Sequence, residues 1–129
     1  MKKVLWAIII TILLFAIVIG EQIFVDNTLD TLINKIDIVE TSISSTETIN
    51  KQNIIEICDD LDKFWTEKEK ILCLFINHND LNKVGEQIKK VKIYVEQNRK
   101  DDCEYELDTL KFYAESCKHV MEINVQNLL

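Results

Sequence analysis

VLWAIIITILLFAIVIGEQIFVDNTLDTLINKIDIVETSI, residues Val4 to Ile43, decides the architecture of this chain. Its first part, Val4 to Gly20, carries no charge, and seventeen residues at ~1.5 Å each span roughly 26 Å, near the short limit for a bilayer core. Ile23, Phe24 and Val25 extend the run if Glu21 and Gln22 sit at the interface, and Trp6 stands where an interfacial aromatic is expected. Lys2 and Lys3 precede the run. The positive-inside rule therefore predicts a cytoplasmic stub, residues 1–3, and an extracytoplasmic body. A signal peptide cleaved at Val18-Ile19-Gly20 competes with this reading, but the apolar run exceeds the usual h-region of about 7 to 15 residues. No cysteine follows it closely, which argues against a lipoprotein.

The second part repeats apolar residues at Val25, Leu29, Leu32, Ile36, Val39 and Ile43. Spacings of four and three alternate, so one narrow seam runs along a helix. No glycine or proline interrupts it after Gly20, so the anchor and this helix are predicted to be continuous. The seam serves either as a face packed on the rest of the domain or as a parallel coiled-coil homodimer contact. Fewer than three full heptads favours the first.

Composition fits this picture. Of 129 residues, 47% are hydrophobic and 29% charged, with no proline and two glycines, Gly20 and Gly85, a breaker-poor chain suited to long helices. The net charge is −7; setting Lys2 and Lys3 aside leaves 13 basic against 22 acidic residues, so the part after Gly20 carries −9. An acidic body excludes nucleic acid as a partner and argues against lying flat on anionic lipid.

Thr41–Asn50 is rich in Ser and Thr and reads as a loop. A second helix is predicted from about Asn53 to Phe75, with apolar positions that include Ile54, Ile57, Cys58, Leu61, Phe64, Trp65, Ile71, Leu72 and Phe75. Asn77, Asn79 and Asp80 break it, and Asn79 or Asp80 is expected to cap a third helix through Leu81, Val84, Ile88, Val91 and Val95. Asp101 and Glu104 resemble a capping box. A fourth helix follows with Cys103, Leu107, Leu110, Ala114, Cys117 and Met121. Met121, Ile123 and Val125 then alternate, which predicts an extended tail over 122–129. Short links make neighbouring helices antiparallel. The expected fold is all-α: an N-terminal transmembrane anchor, 1–20, continuing into an antiparallel three- or four-helix bundle, 21–129.

Trp65 before TEKEKIL, LFINHNDL (Leu74 to Leu81), LKFYAE (Leu110 to Glu115) and the tail INVQNLL also carry a likeness. The chain resembles the domain-of-unknown-function 4363 family of membrane-anchored proteins from Firmicutes over nearly its whole length. The resemblance implies location and shape rather than chemistry, and it implies company with a multi-pass membrane protein. The cysteines are not part of it.

Cys58 and Cys73 are too far apart on one helix to bond, about 22 Å, and so are Cys103 and Cys117. With the second and fourth helices parallel, Cys58 would face Cys103 and Cys73 would face Cys117, as two disulfide rungs, provided those helices are adjacent. The plainer reading is four buried thiols acting as small apolar residues, three of them at ordinary core positions. His78 with Asp80 makes a metal site conceivable, but such sites usually take about three or four ligands at defined spacing; an ordinary role at a helix end is favoured. His78, Asp80 and Trp65 form a candidate interaction segment. No catalytic motif, metal site or cofactor site is predicted. The expected role is a non-catalytic accessory or interaction subunit held in the bilayer beside an integral membrane protein, with a small ligand-sensing bundle as the alternative.

Overall fold

The computed structural model describes residues 1–128, and the side chains of these apart from 124, 125 and 128. Four helices account for nearly all of it: α1 Lys2–Ser44, α2 Gln52–Leu72, α3 His78–Glu96 and α4 Lys100–Leu128. There is no strand among the described residues. Helix α1 is unbroken for 43 residues, about 65 Å at helical rise. Gly20 lies within it with nothing within 4 Å of the position a Cβ would take. Residues up to Glu21 are exposed and project from the bundle, Phe24 packs against its edge, and full burial begins at Val25.

From there the seam predicted for α1 is the core. Val25, Leu29, Leu32, Ile36, Val39 and Ile43 are all fully buried. The predicted series of α3 and of α4 are buried too, and Trp65 of α2 is the largest fully buried side chain. Helix α1 packs on α2, α2 on α3, α3 on α4 and α4 on α1, while no Cα of one diagonal partner comes within 8 Å of the other. The section is therefore a square, with α1 opposite α3 and α2 opposite α4. Ion pairs cross its sides: Lys35 to Asp60 at 2.7 Å, Lys92 to Asp62 at 3.0 Å, Lys111 to Asp37 at 2.8 Å and Lys118 to Asp30 at 2.6 Å. Descending numbers in α1 meet ascending numbers in α4, so neighbours are antiparallel. Exposed pairs of this kind contribute about 0–1 kcal/mol each. They set register, and apolar burial holds the fold.

The end of the bundle where α1 leaves toward Met1 is called proximal here, and the other end distal. At the distal end, Ile49 plugs the α1–α2 link and its N–H donates to Asn98 Oδ1 at 2.8 Å, while Lys100 Nζ donates to the Thr46 carbonyl at 2.8 Å. Asn98 has φ 55 and closes α3: its N–H reaches the Val95 carbonyl and the Arg99 N–H reaches that of Tyr94. That paired pattern satisfies the last carbonyls of a helix and needs a residue tolerant of left-handed backbone, which asparagine is.

Several boundaries differ from expectation. Helix α1 runs to Ser44, past the Ser/Thr stretch read as loop, because buried Ile43 holds its last turn and Ser42 bonds back to the Ile38 carbonyl. Asn77, not Asn79 or Asp80, caps α3, accepting from the Asn79 N–H at 2.8 Å. Asp101 lies inside the first turn of α4, so no capping box forms with Glu104. The segment 122–128 is helical, not extended. After Met121, Val125 and Leu128 continue the three-and-four spacing of α4, which the two-residue alternation disguised; Leu129 lies outside the described residues. The α1 seam is also filled by its own bundle, which leaves no free surface there for a homodimer.

Candidate functional site

The thiols do not form rungs. Cys58 on α2 and Cys103 on α4 are both buried and on diagonal helices, whose Cα atoms stay more than 8 Å apart; a disulfide needs less than about 7 Å. Both are free. Cys103 Sγ lies 3.8 Å from the Val91 carbonyl. Burial first, with Asp59 beside Cys58 and Cys58 itself near Cys103 adding in the same direction, pushes both thiols up to about 12. Cys117, buried on α4, is pushed up to about 11, by burial first and the nearby Asp80 carboxylate second. Such thiols stay protonated and act as small apolar residues. Cys73, just past α2, is exposed and donates to the Lys70 carbonyl at 2.9 Å. It is a free thiol, as is its predicted partner Cys117.

The structure also separates the expected interaction segment. His78 is exposed at the first position of α3, Asp80 is half-buried in the same turn, and Trp65 is buried in the core. The Trp65 indole lies against the α3 backbone at Gly85: a Cβ there would be 3.2 Å from Nε1 and 3.5 Å from Cδ1. Nε1 is buried without a hydrogen-bond partner. Glycine thus admits the ring, and Trp65 is a packing residue with no surface to offer. Among the described residues, no three His, Cys, Asp or Glu side chains are grouped to hold a metal ion.

Buried polar groups are few. Gln87 bridges α3 and α4, donating to the Glu106 carbonyl at 3.1 Å and to its carboxylate. The groove lined by Lys35, Ile38, Asn53, Glu56, Ile57 and Asp60 is about 400 Å³ and open to solvent. Neither feature gathers the convergent polar groups of a reaction centre.

What stands out is apolar surface. The first half of α1 is long and apolar enough to cross a membrane by length and composition: its best 18-residue window has a mean hydropathy of 2.7 and none of it is buried. That matches a single-pass anchor or a signal peptide. A second feature lies on α4, where Tyr105, Phe112, Val120 and Ile123 are exposed by 70%, 65%, 43% and 42%. Their spacings of seven, eight and three keep them on one stripe of the helix. Sequence reasoning passed over them as a site because the stronger core series of α4 interleaves with theirs. Tyr105, Phe112 and Ile123 each stand two residues past a core position, and that offset was the available signal.

The family model described as Domain of unknown function (DUF4363) matches residues 21–128. The chain belongs to the DUF4363 family. The match begins just after the apolar run and spans the described length of the bundle. No curated protein and no solved structure matches this DUF4363 chain.

Proposed function

We propose that this DUF4363 protein is a membrane-anchored, non-catalytic interaction subunit, its bundle held outside the cytoplasm beside an integral membrane protein. The observation that carries the reading is the exposed apolar half of α1, joined in one helix to a bundle whose core is complete without it. A water-exposed stretch of that hydropathy is costly, and a bilayer is the solvent that removes the cost. Lys2 and Lys3 favour an inside N-terminus. The stripe Tyr105, Phe112, Val120 and Ile123 supports protein contact, because aromatic residues are enriched at interfaces.

Two measurements test this. The chain recovered from alkaline-washed native membranes should keep its N-terminal mass; a mature chain beginning at Glu21 would identify a signal peptide and end the anchor reading. After mild detergent extraction, an integral membrane protein should co-purify with the intact chain and be lost from the double variant Tyr105→Ser, Phe112→Ser. Equal recovery with both chains would remove the stripe from the interface.

A further inference from the structure

The two ends of the bundle are unlike. At the distal end, the links 45–51 and 97–99 expose no large apolar side chain. At the proximal end, the α2–α3 turn exposes Leu74 by 75%, more than any other large apolar residue of the bundle among the described residues, and Ile71 by 44%. One exposed leucine means little on a protein surface; here the placement matters. The Lys68 ammonium stands 5.8 Å from the Phe24 ring, where α1 enters the bundle. Leu74 lies six residues further along α2 and its turn, away from the distal end. Along the bundle axis it is therefore level with the stretch of α1 that is still apolar and exposed, with Ile23 at 54% and Ile19 at 56%.

Charge permits the contact as well. The body carries −9 after Gly20, yet from Lys70 to Asn79 (KILCLFINHN) there is no acidic residue. The distal end carries both signs, Glu47, Asp101 and Asp102 beside Lys51, Arg99 and Lys100, so it is the apolar exposure that separates the two ends. The proximal turn is thus a part of an acidic body that a lipid surface does not repel. Its polar residues Asn77, His78 and Asn79 suit a headgroup layer, and Ile71 and Leu74 suit the boundary beneath it.

We propose that the α2–α3 turn is a second membrane contact, in which Leu74, flanked by Ile71, enters the interfacial layer of the bilayer that holds residues 4–20. This rests on the anchor reading above and extends it. A bundle hung from one helix can lean in any direction. A second apolar contact off the helix axis fixes which side leans down. One side chain is a weak anchor, so the contact sets orientation and leaves attachment to α1.

Cys73 supplies the test, since it is exposed next to Leu74 while Cys58, Cys103 and Cys117 are buried. The full chain is reconstituted in phosphatidylcholine nanodiscs with a small uncharged fluorophore on Cys73, with and without lipid bearing a nitroxide near its headgroup. The label should lose most of its fluorescence in nitroxide discs. A label at Thr48→Cys in a Cys73→Ser chain should keep its fluorescence. Leu74→Asp, a change at an exposed site with folding checked by circular dichroism, should restore much of the Cys73 signal. A bright Cys73 label in a chain that co-elutes with the disc overturns the contact, leaves the anchor standing, and frees the turn for a protein partner. Quenching equal in the Leu74→Asp chain overturns the role of Leu74, because the anchor alone would then bring the label near lipid. A chain that fails to co-elute with discs overturns the anchor and the contact together.

Discussion

Replacing Gly85 by alanine sets two effects of known sign against each other. Alanine is favoured over glycine inside a helix by ~1 kcal/mol. The added methyl would meet Trp65 Nε1 at 3.2 Å, closer than an ordinary contact, and Cδ1 at 3.5 Å, an ordinary one. Trp65 is 1% exposed, so its ring is enclosed by the core, and overpacking of a tight core costs about 1–3 kcal/mol. The expected balance for Gly85→Ala is a loss of about 1 kcal/mol. The clash depends on the indole, so the sign should reverse once the indole is gone. In a Trp65→Phe background, already weakened by the smaller ring, Gly85→Ala should gain up to ~1 kcal/mol. Urea unfolding of residues 21–129, which include every core side chain, followed by far-UV circular dichroism, measures all four chains of the cycle. A wild-type background stabilised by Gly85→Ala, or an equal cost in both backgrounds, would refute the close approach of Trp65 to α3.

In the native chain a thiol reagent should modify Cys73 quickly and the other three cysteines only on unfolding; fast reaction of a second thiol would contradict the buried placement of Cys58, Cys103 and Cys117. Burial holds Cys58 and Cys103 protonated to about 12 and Cys117 to about 11, whereas unfolded thiols ionise near ~8.5. The unfolded state therefore loses protons first, so stability is complete below that value and declines as pH rises toward 12. Lys92, raised first by its hydrogen bond to Asp62, adds a loss in the same direction. Cys58→Ala should flatten the decline in urea midpoint against pH. Leu110→Ala, at a fully buried site, should cost about 2–5 kcal/mol in the same assay. Asn98→Ala should cost about 1–2 kcal/mol, through its positive φ and the lost bond from the Ile49 N–H. Asn98→Gly should cost less, because only the bond is lost; equal costs would show that the backbone conformation is unimportant there.

The core was legible because three amphipathic series with three-and-four spacing, in α1, α3 and α4, leave little freedom about which face turns inward, whereas the longer apolar list of α2 included Ile71, which is exposed. Every residue of the α1, α3 and α4 series is buried as read. Local polar chemistry was less legible. Ser and Thr within Thr41–Ser44 do not stop a helix whose last turn is held by a buried isoleucine, and Asn77 competed successfully with two equally plausible caps nearby. The two-rung idea failed for a reason no single helix pattern contains. Parallel helices two apart in a four-helix square are diagonal, and adjacency is a property of the whole section. Trp65 misled in a similar way: a residue that marks a family need not show itself at the surface, and this one owes its place to Gly85. The exposed stripe of α4 was hidden by the richer series beside it.

The unbroken path of α1 from Lys2 to Ser44 turns rotation into information. An α-helix advances ~100° and ~1.5 Å with each residue, so inserting one residue near Gly20 would swivel the whole bundle by more than a quarter turn while barely lifting it. Whatever grips the N-terminal stretch therefore also sets the compass bearing of the α4 stripe, and a four-residue insertion, close to a full revolution, would restore that bearing where a two-residue insertion would not.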